Sequence, residues 1–244
     1  MGDFNSLNLL VFVAAGFAAS MITGLAGFAF GIIAAGPWLH VLTPPQTASL
    51  VVAYGLLIQG HSVWKLRAAL KFDRLLPFLV GSAIGVPLGI ATLNWVAAAH
   101  LRMSVGIVLI IYSLYGLCAP TLPKYANASR AVDATIGVFG GILGGASGLA
   151  GIIVTIWSGL RGWPKDEQRA VFQPVGVATF AMIALWLGGA GFISRETILL
   201  FAVGLPAILV GMWVGLKLYG KLDDAGFRKV VLALLMISGT TLVL

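Results

Sequence analysis

Long apolar runs separated by short polar breaks make up almost the whole chain. They cover roughly 7–42, 47–64, 75–93, 103–119, 134–160, 170–187, 197–216 and 230–244. Most have the ~20 residues that a membrane-spanning helix needs. Two do not fit: 7–42 and 134–160 are long for one span and short for two. Each carries the tetrapeptide Gly-Leu-Ala-Gly near its middle, at 24–27 and at 148–151. Glycine inside a helix costs about 1 kcal/mol against alanine. Each run is therefore expected to break at its tetrapeptide.

The two breaks stand 124 residues apart, and other markers repeat at nearly the same offset. Gly85 and Gly89 in "AIGVPLG" correspond to Gly211 and Gly215 in "LVGMWVG", and the segment from Leu101 aligns with that from Phe227, both offset by 126. Three markers in one order at one spacing make an internal duplication. Residues 1–125 and 126–244 are read as the two repeats, joined at "APTLPKYANASR". The rows Gly81, Gly85, Gly89 and Ala207, Gly211, Gly215 predict helix-packing faces, since small residues four apart let helix backbones approach closely.

The charged residues choose a topology. If every run were a plain span, Lys and Arg would divide 8 against 7 between the two sides, with no bias. If each tetrapeptide instead turns its segment back to the side it came from, 13 lie on one side and only Arg102 and Arg195 on the other. Cytoplasmic loops carry an excess of Lys and Arg, so the second arrangement is expected. It makes the fold an all-α polytopic membrane protein of two inverted repeats. Each repeat is a broken, re-entrant helical hairpin plus three transmembrane helices, and both termini lie outside.

Composition agrees and excludes much else. The chain has 244 residues, of which 59% are hydrophobic and 9% charged, and its mean hydropathy is +1.02. Soluble domains carry about 25% charged residues, so this is one membrane domain over 1–244 with no soluble catalytic or DNA-binding module. The net charge of +7 is accounted for by orientation, and no nucleic-acid partner is expected. The start "MGDFNSLNLL" lacks the basic region of a signal peptide, so the first run is expected to be retained. Cys118 is the single cysteine, and no intrachain disulfide is possible. Trp38, Trp64, Trp95, Trp163 and Trp213 fall near run ends and are expected in interfacial belts.

The segments "GLAGFAFGIIAAGPWLHVLTPPQTASLVVA" from Gly24 and "GLAGIIVTIWSGLRGWPKDEQRAVFQP" from Gly148 resemble the two signature segments of the sulfite exporter TauE/SafE family. The "GVPLG" and "GMWVG" helices resemble that family too, and the resemblance spans nearly the whole chain. It implies a transporter of the inner membrane that moves a small sulfur-containing anion (sulfite, sulfoacetate or a related sulfonate), with export the favoured direction. It implies no cofactor, no metal and no catalytic residue. The partners it implies are the anion and the bilayer; assembly as a homodimer stays open.

The residues expected to carry the chemistry follow from the breaks. A hairpin apex within the bilayer must satisfy its backbone groups against protein, ligand or a wet cavity. The helix leaving the apex offers free N–H groups at its positive dipole end, which suits an anion. Gly24, Leu25 and Gly27 with Gly148, Leu149 and Gly151 are expected to line the site through backbone, with Thr23 and Ser147 adding hydroxyl donors. Among the few polar side chains in apolar runs, Gln173, Gln59 and Tyr54 are candidate substrate contacts. Arg169 begins the span bearing Gln173 and is placed at the inner mouth, no arginine being expected in mid-run. All eight acids are placed in loops or at run ends, leaving no deep carboxylate to carry protons. Three rivals stay open: an anion channel, an intramembrane hydrolase using Ser147 of "GASG", and a structural or assembly membrane protein. The second lacks a base at depth, because His40, His61 and His100 all fall near membrane edges.

Overall fold

Both runs expected to break do so. In the computed structural model, which describes residues 6–92, 98–118, 125–147, 150–189 and 194–243, the first becomes α1 (Ser6–Ala26) and α2 (Phe30–Leu39). The second becomes α6 (Arg130–Ser147) and α7 (Ile152–Leu160). The other runs form α3 (Pro44–Lys65), α4 (Phe72–Thr92), α5 (Ala98–Cys118), α8 (Lys165–Gly189), α9 (Arg195–Tyr219) and α10 (Asp224–Val243). Among the described residues there is no strand. Five helices are long and apolar enough to cross a membrane: α1, most of α4 and α8, α9 and α10. The protein is an all-helical, multi-pass membrane protein.

The broken runs are not symmetrical hairpins. Their limbs have 21 and 10 residues in one case and 18 and 9 in the other. At 1.5 Å per residue α1 is ~31 Å long and α2 only ~15 Å. Each break thus follows a long helix and starts a half-length one. α2 folds back along α1, with the Trp38 indole N–H donating to Phe12 O at 3.0 Å. That bond corrects the expectation of an interfacial Trp38. Its ring is fully buried among Phe12, Phe30 and Tyr54. Trp64 and Trp213 are exposed, whereas Trp95 lies outside the described residues. At the start of α3, Thr43 and Gln46 form a capping box around Pro44.

The helices meet along glycine seams. On α4, a Cβ added at Gly81, Gly85 or Gly89 would lie 2.1, 2.1 and 2.2 Å from the carbonyl oxygens of Ala134, Val138 and Ile142 on α6. Both lists ascend, so α4 and α6 run parallel. α1 and α9 also run parallel: Gly211 faces Phe17 and Ser20, and Gly215 faces Met21 and Gly24. α3 and α8 are antiparallel, Gly55 meeting Phe180 and Gly176 meeting Gln59. So are α5 and α10, where Gly106 meets Gly239 and Gly116 meets Leu232.

The basic connections gather at one end of the bundle. Glu167 at the start of α8 pairs with Lys71 and Arg74 at the start of α4. Lys165 N donates to Asp224 Oδ1 at 2.9 Å, and Tyr125 N to Leu160 O at 2.8 Å. At the opposite end Gln46 Nε2 donates to Glu196 at 3.2 Å.

One acid at a run end is buried. Asp133 is buried in the first turn of α6, accepting from Trp157 Nε1 at 2.7 Å and from Arg161 Nη2 at 3.3 Å. It ties the base of α6 to the far end of α7. Asp133→Asn keeps an acceptor for Trp157 but removes the charge facing Arg161. It should lower stability by about 1–2 kcal/mol, read as the thermal midpoint of the purified protein; an unchanged midpoint would show that the pair contributes nothing.

Candidate functional site

The two breaks are built alike. Gly27 N donates to Thr23 O at 2.7 Å, closing α1. Gly27 has φ +90° and Gly151, in the same place of its tetrapeptide, has φ +83°. Both are left-handed, where a side chain is disfavoured. Ala29, the residue before α2, also has a positive φ, 80°. A non-glycine residue there stores strain, and such strain clusters at functional sites. α2 makes its first i→i−4 bond from Ile33 N to Ala29 O, and α7 from Thr155 N to Gly151 O. The N–H groups of the preceding turn have no helical partner, as at any helix start.

Both breaks abut the same stretch of α8. A Cβ at Gly27 would lie 2.7 Å from the Phe172 ring and 3.1 Å from Gln173 Nε2. A Cβ at Gly151 would lie 3.4 Å from Phe172 O and 4.0 Å from Gly176 Cα. Phe28 and Phe172 meet edge to face, with ring centroids 6.4 Å apart. Ala26, Phe28, Ala29, Ile152 and Phe172 share one buried cluster.

Gln173 is fully buried, and its Nε2 donates to Gly27 O at 3.4 Å. Gln59 is buried where α3 crosses α8, against Gly176, one turn beyond Gln173. Gly24 and Leu25 lie at the first break beside Gly215 of α9 and Arg169 of α8. Thr23 is buried as well, but its Oγ1 donates to Ala19 O at 2.7 Å, so its hydroxyl proton is engaged within α1. Tyr54 is not part of this group. Its hydroxyl donates to Phe201 O at 2.8 Å and its ring stacks on Phe201, in the cluster around Trp38. Gly148, Leu149 and the Ser147 side chain lie outside the described residues.

The sequence placed Arg169 at the mouth, but the structure buries it completely. Its Nη1 and Nη2 each donate to Gly24 O at 3.1 Å, Nη1 also to Leu25 O at 3.3 Å, and Nε to Gln173 Oε1 at 3.3 Å. The guanidinium carbon sits 4.1 Å from the centroid of the Tyr219 ring, and the Tyr219 hydroxyl bonds Asp166. The available signal was the spacing Arg169, Gln173, Gly176, which puts all three on one face of α8.

Comparison with known families gives a match over residues 12–242 to the model described as sulfite exporter TauE/SafE. No curated protein and no solved structure matches the chain. The family consists of membrane transporters rather than enzymes, which removes the hydrolase reading of Ser147. The match covers nearly all of the 244 residues, and on it the chain belongs to the sulfite exporter TauE/SafE family.

Proposed function

We propose that this protein exports a small sulfur-containing anion (sulfite, sulfoacetate or a related sulfonate) across the inner membrane by alternating access. The anion sits between the N-termini of α2 and α7, against the Gln173 turn of α8. The single observation that carries this reading is the meeting of Gly27 and Gly151 on that turn. Two helix starts aimed at one place offer converging N–H donors and positive dipole ends. Broken helices that meet between repeats are a recurrent way for transporters to hold substrate. Gly24, Leu25, Gly27 and Gly151 supply backbone, and Gly148, Leu149 and Ser147 are assigned the same role by the repeat. Gln173 and Gln59 supply amides.

The helix directions favour inverted repeats over 1–125 and 126–244. α1 packs parallel to α9 and α6 packs parallel to α4, which is one contact made twice if α1 corresponds to α6 and α4 to α9. The gathering of basic connections at one end favours that end as cytoplasmic, with both termini outside. The two repeats then rock about the junction of the breaks, opening it to each side in turn.

The test is counterflow in liposomes. Protein loaded with unlabelled anion should accumulate labelled sulfite or sulfonate, with saturation. No counterflow across sulfite, thiosulfate, sulfoacetate, isethionate, taurine and sulfate sinks the proposal, and single-channel currents would replace the carrier by a pore. Gln173→Leu removes the amide that links α8 to the first break; KM should rise about tenfold, one hydrogen bond's worth, and an unchanged KM would remove Gln173 from the site.

A further inference from the structure

Among the described residues Arg169 makes no direct ion pair. None of the pairs Lys71–Glu167, Arg74–Glu167, Arg130–Asp73 and Arg161–Asp133 includes it. The nearest acid along its own helix, Asp166, attracts Arg169 only at a distance, because its carboxylate is bonded by the Tyr219 hydroxyl that lies between them. The groups that touch the guanidinium directly are neutral: two backbone carbonyls of the first break, the Gln173 amide oxygen and the Tyr219 side chain. Taking a cation out of water without a partner of opposite charge is expensive. Carbonyls at the negative end of α1 offset part of that cost. An orienting arginine has no need to sit there, since a long cationic side chain at a span's end can reach the wet interface. This one is 0% exposed.

We propose that Arg169 is the cationic element of the anion site, and that the bound anion is its direct ion-pair partner. The inference rests on the reading of the break junction as the substrate site. Guanidinium presents a planar fork that matches two oxygens of an oxyanion. In the structure the fork is aimed at Gly24 O and Leu25 O, and Gln173 holds Nε in line. An oxyanion between the breaks takes the fork in place of those carbonyls. The ligand class is a small oxyanion with one delocalised negative charge, such as an alkanesulfonate. The exchange also has a mechanical consequence. The same bonds fasten the first break to α8, so the incoming anion unfastens the half-helix that must move. Substrate charge and the freedom of α2 are then coupled through one side chain.

Charge selectivity separates this role from that of a structural staple. The purified wild-type protein should be thermally stabilised by methanesulfonate and not by dimethyl sulfone, its neutral near-isostere. In Arg169→Gln the two additives should act alike, and KM for anion counterflow should rise about a hundredfold, at the low end of what losing one partner of a buried charge pair costs. Arg169→Lys keeps the charge without the fork, and its KM should rise about tenfold. Should Arg169→Gln fail to yield monodisperse protein, the lysine variant decides. Wild-type counterflow with an unchanged KM in either variant overturns the role of Arg169 and leaves the transporter reading standing. Equal stabilisation of the wild type by dimethyl sulfone also overturns it. No counterflow by the wild type with any anion is instead the failure of the transporter reading, and the inference falls with it.

Discussion

Gly27→Val should abolish transport while leaving a membrane-inserted protein. Three costs fall on one position. The backbone there has φ +90°, a region in which a β-branched residue is a genuine outlier. The first added carbon would stand 2.7 Å from the Phe172 ring, so Phe172 or the break must shift. It would also stand 3.1 Å from Gln173 Nε2, the atom that donates to Gly27 O. Displacement of the break therefore spreads to Gln173 and, through it, to Arg169. A misplacement of about 1 Å is enough to cost a hundredfold in a preorganised site, so counterflow should fall below about 1% of wild type. α1 spans on its own composition, so insertion should survive and be visible as normal yield in the membrane fraction. Gly151→Val has the same backbone problem at φ +83° but more room, 3.4 Å to the nearest atom. It should retain more activity than Gly27→Val. Equal, near-normal transport in both variants would remove the breaks from the substrate path.

These positions were legible in the sequence because glycine announces backbone conformations that other residues avoid. The two tetrapeptides marked the breaks, and Gly27 and Gly151 are indeed left-handed. The small-residue rows on α4 and α9 marked seams for the same reason: close approach leaves a trace in residue size. The unequal limbs were hidden, because the hydrophobic run is continuous through α1 and α2 and gives no sign of where the chain turns again. Side-chain partners were hidden too. Thr23 and Tyr54 look like free donors in a sequence, yet one bonds its own helix and the other the carbonyl of a helix 147 residues away. Arg169 was placed at the mouth because basic residues near a span's end usually orient it. What buries it is a set of carbonyls from the first break, 144 and 145 residues distant in the chain. Asp133 stands at a run end as expected, but its burial was hidden, its partner Arg161 arriving from the far end of α7.

The glycine seams yield a sharper test of the duplication than any alignment, because they reverse the sign of an ordinary substitution. In a helix with open space beside it, alanine in place of glycine stabilises by about 1 kcal/mol. Gly60, five residues before the end of α3, is such a position, with nothing within 4 Å of an added Cβ, and Gly60→Ala should raise the thermal midpoint. Gly85→Ala should do the opposite. Its Cβ would lie 2.1 Å from Val138 O and 2.9 Å from Ile142 N. These atoms belong to a helix backbone and can yield only if α4 and α6 move apart along the whole seam. The expected loss is about 3 kcal/mol, the upper end of overpacking costs. That is roughly a 10 °C fall in the midpoint for a chain of this size. Gly211 stands 126 positions on and occupies the matching place on α9. Its added Cβ would meet Ser20 Oγ at 2.1 Å and Phe17 O at 2.5 Å. The serine can rotate but the carbonyl cannot, so Gly211→Ala should destabilise by somewhat less than Gly85→Ala. Paired losses at 85 and 211 with a gain at 60 are what a parallel helix contact used twice requires. A stabilising Gly85→Ala would mean that α4 and α6 do not meet backbone to backbone. The correspondence of α4 with α9, on which the proposed two-sided opening of the site depends, would then lose its structural basis.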